Sequence, residues 1–227
     1  MIKTDQGFLI NKLKYNENSI IADFYTKQSG KTSGIIFGGT SKKIKGYLQI
    51  GNYFHLNLNS KNETRVSSIK AEIIKAYTPI YFNNQKKLYS IISAMSLIKN
   101  LTPENENNFD IFNLIQNFFN LLEKNNWLKN YINWELKLLK YLGYDLNLKN
   151  IVEKEIVNNK EVFYVKSSKQ KKTVPNFLVN ENIEKVEYFE ILRGFTIVSS
   201  YMEKNIFTPN NLKVPIQRME FENLLNK

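Results

Sequence analysis

Gly30-Lys31-Thr32 has the ending of a phosphate-binding loop, in which the lysine meets the terminal phosphates of a nucleotide. That chemistry needs a glycine five residues earlier, where the backbone wraps the phosphates, and position 25 is tyrosine. The segment also lies between two candidate strands, with no following helix to offer its N-terminus, so it reads as a hairpin turn and not as an ATPase element. A metal-dependent nuclease needs carboxylates converging on an ion. Asp5, Asp23, Asp110 and Glu135 are scattered, without a tight pair. The single histidine, His55, excludes a multi-histidine centre, and it alternates with apolar neighbours as a packed or surface residue does. The absence of cysteine removes disulfides, thiolate nucleophiles and cysteine metal sites. The expectation is a chain that is not an enzyme, with no cofactor and no metal.

What remains is cationic. Ser41-Lys42-Lys43-Ile44-Lys45-Gly46-Tyr47 carries three lysines within four positions and follows Gly38-Gly39. It reads as a flexible loop whose ammonium groups can track a phosphate backbone. The formal net charge of +11 favours a polyanionic partner. A coding bias toward lysine would spread that excess evenly, but residues 1–76 hold twelve basic side chains against five acidic ones, most of the surplus in a third of the chain. The candidate phosphate-contacting residues are Lys12, Lys14, Lys31, Lys42, Lys43, Lys45, Arg65 and Lys70. Phe24, Tyr25, Phe37 and Tyr47 are candidate base-stacking faces, with barrel core as the competing role for each. A second cluster, Lys166, Lys169, Lys171 and Lys172, reads more simply as surface charge.

The elements that position these residues change period near Pro79. Candidate strands Gly7–Lys14, Ser19–Thr26, Gly34–Phe37, Tyr53–Asn59 and Ser67–Ala76 are separated by turn residues such as Asn16-Glu17-Asn18 and Ser29-Gly30-Lys31. Five short strands in this span suit a small closed barrel, and the pattern alone fits OB and SH3-like barrels equally. Beyond Pro79, Leu88, Ile91, Ile92, Met95 and Ile98 make a helical stripe. Phe109–Leu122, Trp127–Leu142 ending at Gly143, Glu184–Lys204 and Pro215–Leu225 read as further helices, with Asn107-Asn108 as caps for the first of these four. Glu161–Lys166 and the turn Ser167–Lys172 suggest a polar hairpin. No apolar stretch is long enough to span a bilayer, and Met1–Gly7 lacks the features of a signal peptide, so no membrane partner and a cytoplasmic location are expected.

Gly7-Phe8-Leu9-Ile10, Asn16-Glu17-Asn18-Ser19 and Asp23-Phe24-Tyr25-Thr26, ending in Ser29-Gly30-Lys31, resemble the opening of the RecO family. Gly38-Gly39, the lysine cluster and Gly46-Tyr47-Leu48-Gln49 resemble its Gly-Ala, basic-loop and Gly-x-Leu-Gln stretch. Trp134-Glu135-Leu136-Lys137-Leu138-Leu139, followed by Leu142-Gly143-Tyr144, is similar to its Leu-Gly-Tyr helix, and Leu212-Lys213-Val214-Pro215 to Arg218 fits more loosely. The resemblance implies an α+β chain: an OB-fold DNA-binding domain at 1–78 and a helical domain at 79–227, with 151–178 a hairpin insertion in place of a zinc lobe. It implies binding of single- and double-stranded DNA, strand annealing, and partnership with RecR and the tail of the single-stranded DNA-binding protein to load RecA. Two departures stand out. Ile151 lies where many relatives begin a four-cysteine zinc site, so zinc is not expected; Ile132 and Asn133 precede Trp134-Glu135, where some relatives have a basic residue. An RNA-binding OB protein and an interaction scaffold with no specific nucleic-acid role are the competing readings.

Overall fold

A computed structural model describes residues 2–59, 67–157, 160–167 and 170–227. Alternating apolar and polar residues build β1 (Ile2–Lys14), β2 (Ser19–Thr26), β3 (Gly30–Phe37), β4 (Tyr53–Asn59) and β5 (Ser68–Lys75), with a short helix α1 (Lys42–Tyr47) between β3 and β4. They close into a barrel in the order β1-β2-β3-β5-β4. β1 serves two neighbours, pairing with β4 over Ile2–Phe8 and with β2 over Gly7–Lys14, and an irregularity between Leu9 and Asn11 lets it bend from one to the other. The expected barrel is therefore present, and its strand order decides for the OB-fold over the SH3-like alternative. Its core gathers Leu9, Ile20, Phe24, Ile36, Phe54, Leu56 and Ile69, with Ile44 and Tyr47 of α1 packed on it.

The structure corrects the reading of the lysine segment as a flexible loop. Ser41 caps one turn of helix by accepting from the Ile44 amide, and Leu48 closes it on the Ile44 carbonyl at 2.9 Å. Buried Asn52 fixes where this helix sits. It donates to the Tyr47 carbonyl at 2.8 Å and accepts from the Tyr77 and Thr78 amides at 2.9 and 3.0 Å, tying the helix to the strand that leaves the barrel.

After a 3-10 turn at Thr78–Tyr81 come α2 (Gln85–Leu101), α3 (Phe109–Leu122) and α4 (Trp127–Tyr141). Asn108 caps α3, accepting from the Ile111 amide at 3.1 Å. Gly143, at φ +83, ends α4 in a Schellman arrangement, with Tyr144 N–H on the Leu139 carbonyl and Gly143 N–H on the Lys140 carbonyl. There follow α5 (Leu148–Ile151), β6 (Glu153–Val157), β7 (Lys160–Ser167), β8 (Gln170–Val174), α6 (Asn176–Val179), α7 (Tyr188–Met202), a π turn and α8 (Ile216–Leu225). The expected hairpin is a three-stranded antiparallel sheet, β6-β7-β8.

Packing forms two compact units, Met1–Gln116 with Pro215–Leu225, and Asn117–Val214. In the first, α2 packs on β1 and α8, whereas the sequence reading assigned all of 79–227 to one helical domain. In the second, Tyr131 stacks between Trp134 and Phe195, at centroid separations of 6.2 and 6.3 Å, and Phe118 meets Trp134 edge-on at 5.2 Å. Buried Lys129 donates to the carbonyls of Glu181 and Ile183 at 2.6 and 2.8 Å, pinning the segment before α7. No described helix is long and apolar enough to cross a membrane.

The Gly30-Lys31-Thr32 tripeptide docks the segment that joins α2 to α3. Gly30 has φ +68, and a Cβ there would lie 1.9 Å from the Glu106 carbonyl oxygen. The Asn105 amide donates to the Lys31 carbonyl at 2.8 Å. Gly30→Ala is expected to cost about 3 kcal/mol or more, since it adds left-handed backbone strain to a backbone clash. Chemical denaturation of both proteins measures it, and an unchanged midpoint would contradict this packing.

Candidate nucleic-acid interface

Lysines at the end of β1 and on α1 converge on one trough. Lys12, Lys14, Glu17, Ile20, Thr40, Lys45 and Leu48 line a groove of about 340 Å³ between the two elements. Lys12 reaches under the helix, donating to the Leu48 carbonyl at 2.6 Å. Burial, and after it the nearby Lys45 ammonium, hold the Lys12 ammonium below the usual lysine range. Like charges kept this close are unfavourable alone and favourable once an anion lies between them. Lys42 and Lys43 are exposed on the same helix, while Lys12 itself is half-buried. Among the described residues Glu17 is the one carboxylate of the trough lining. The β1–β2 turn and the neighbouring strands are where OB folds take oligonucleotides, and Tyr15 lies exposed in that turn. Sequence reasoning passed over Tyr15; an aromatic residue between Lys14 and the Asn16-Glu17-Asn18 turn was the available signal.

Lys31 and Lys70 do not join this trough. Lys31 corrects its assignment: its side chain is 11% exposed, and its ammonium donates to the Lys99 carbonyl at 2.8 Å and pairs with Glu104 at 3.2 Å. It is a structural clamp for the end of α2. Lys70 is 76% exposed but pairs with Glu72 at 2.8 Å on the outward side of β5. Arg65 lies outside the described residues, as does Lys169 of the second cluster.

The stacking candidates divide. Phe24 and Tyr25 are core and are corrected as such. Phe24 packs edge-on against Phe54 at 5.6 Å, and Tyr25 is buried with its hydroxyl 3.4 Å from the Asn108 carbonyl. Phe37 is 67% exposed, while Tyr47 is half-buried with one face toward Phe54. The scattered carboxylates at the barrel are consumed by the fold. Asp5 accepts from the amides of Gln6 and Gln28 and the hydroxyl of Ser29, and Asp23 accepts from Asn11 and Ser33 at 2.7 Å each.

Against this geometry, residues 1–77 match the family model described as Recombination protein O N terminal, and residues 83–199 match Recombination protein O C terminal. The chain belongs to the RecO family. A Rickettsia felis relative named DNA repair protein RecO is 30% identical over 234 residues, 98% of each chain. Relatives of the same name from Rickettsia canadensis and Rickettsia akari are 30% and 37% identical, covering 91% and 63% of this chain and 90% and 60% of their own.

In this RecO-family chain the second unit carries its own concavity. A cleft of about 760 Å³ between the β7-β8 sheet and α7 has Leu146, Leu148, Val165, Val174 and Ile197 on its apolar walls, and Lys171, Lys172, Arg193 and Lys204 along it. Among the described residues no carboxylate lines it. Lys171 and Arg193 are tied to Glu155 and Glu190, whereas Lys172 and Lys204 are exposed. The sheet itself is braced by the Lys154–Glu161 and Lys171–Glu155 pairs and by Tyr164, whose buried ring supports the Lys171 ammonium at 4.3 Å.

Proposed function

We propose that this RecO-family chain acts in DNA repair as a non-catalytic mediator. It binds single- and double-stranded DNA, anneals complementary strands and helps load RecA onto DNA coated with single-stranded DNA-binding protein. The observation that carries this reading is the lysine trough of Lys12, Lys14 and Lys45, flanked by Lys42 and Lys43, on an OB barrel whose family relatives are named for DNA repair. Ammonium groups on a barrel meet phosphates without reading sequence, and release of condensed counterions supplies the affinity. Two strands neutralised on one protein repel each other less, which favours their pairing. No bond is made or broken, so no catalytic residue is required.

The partners proposed are RecR and the single-stranded DNA-binding protein, with RecA engaged indirectly, in the cytoplasm. The apolar cleft of the second unit, with Lys172 and Lys204 exposed on it, has the chemistry to take an acidic, aromatic-ended peptide such as the tail of that DNA-binding protein. Annealing of complementary oligonucleotides, naked and coated with the cognate single-stranded DNA-binding protein, tests the whole reading. Acceleration of both is the expected result. Failure on both substrates overturns it.

A further inference from the structure

α1 is a ridge with a different groove on each side. It gives Lys45 and Leu48 to the lysine trough, and Ile44 and Tyr47 to a second groove of about 480 Å³. We infer that this second groove receives an unpaired nucleobase of the bound strand, a subsite that rests on the DNA-binding reading above and gives it a preference for single strands.

Phe37 and Tyr47 bring two aromatic rings to the groove, over a floor that includes Ile36 and Ile69. Tyr47 is backed by Phe54 at a centroid distance of 6.3 Å, so its ring is held in place, while Phe37 stands largely in water at the end of β3. Asn57 and Asn59, at alternating outward positions of β4, add amide donors and acceptors to the same wall. A flat heterocycle with a polar edge uses all of these features: π faces for its rings and amides for its hydrogen-bonding groups. Among the described residues Glu72 is the one lining carboxylate, and it is already paired with Lys70, which lessens its repulsion of a strand. The groove volume falls within the roughly 300–1,000 Å³ of small-molecule sites. A helix with side chains is only about 10–12 Å across, so a strand whose phosphates follow the lysine trough has this groove within reach. Bases inside a duplex are stacked and paired on their edges, and only an unpaired base is free to enter.

The test compares a fluorescently labelled thymidine oligonucleotide with an abasic oligonucleotide of equal length, which has the same phosphates and no bases. The unaltered protein is expected to bind the thymidine strand about tenfold more tightly. Phe37→Ala and Asn57→Ala, both at accessible positions, are each expected to cut that preference several-fold, leaving abasic-strand affinity and the salt slope unchanged. Equal affinity for the two strands overturns the base subsite while DNA binding stands. A preference that survives both substitutions also overturns it, by putting base contacts elsewhere. Binding to neither strand removes the underlying reading as well.

Discussion

Replacing Lys12, Lys14 and Lys45 together with alanine is expected to lower affinity for single-stranded DNA by about 400-fold at about 0.05 M salt. On single strands each phosphate contact contributes a slope of roughly −0.7 in the plot of log affinity against log salt. Three lost contacts flatten that slope by about two units, and the two lines meet near 1 M salt, where counterion release no longer drives binding. Two units across that span give the stated loss. Lys12 adds a pH signature. Its ammonium is already held below the ordinary lysine range by burial and by Lys45. As pH rises toward that lowered value the trough loses the Lys12 charge, so affinity falls on the alkaline side and is flat below it. A bound phosphate stabilises the charged form, and binding therefore takes up protons in that range. Lys31→Ala is the matched control: its ammonium is spent on the Lys99 carbonyl and Glu104, so it is expected to lower stability and leave the slope alone. A triple variant with the parent slope would exclude the trough from the interface.

Phe24→Ala is expected to destabilise the barrel by about 3–5 kcal/mol, because a fully buried ring is deleted from the closed core where it packs edge-on against Phe54. Phe37→Ala, at the exposed end of β3, is expected to move stability by no more than about 0.5 kcal/mol. Urea denaturation of the two variants beside the parent separates them. Together with the oligonucleotide comparison, it separates a ring that holds the barrel from a ring available to a base. A Phe24→Ala protein that keeps its stability but loses DNA affinity would return Phe24 to the interface.

Much of the fold was legible because its causes are local. Tyr53–Asn59 alternates cleanly, and it and Ser19–Thr26 form strands over the residues expected; Phe109–Leu122 carries its stripe behind an asparagine cap and forms the expected helix. β1 and β3 begin earlier than their patterns suggest, at Ile2 and Gly30. Thr4-Asp5-Gln6 and Lys31-Thr32-Ser33 are polar, and their strand character comes from partners: Asp5 is buried because the Gln28 amide and the Ser29 hydroxyl of the adjacent β2–β3 turn donate to it. The lysine segment looked like a loop because one turn of helix is too short to leave a periodic signal. It is ordered by Ile44 and Tyr47 settling on the core and by Asn52.

The same division governs the site. The sequence alone established the basic N-terminal third, the barrel strands, the helices and the cysteine-free insertion, since charge and periodicity are properties of neighbouring residues. Only the tertiary structure decided which lysines are left for a ligand. Lys31 and Lys45 look alike in sequence, yet one is captured by a carbonyl and a carboxylate some seventy residues further along, and the other is left beside Lys12 at the mouth of a groove. A side chain's freedom depends on which distant backbone groups fold onto it, and no local pattern carries that information.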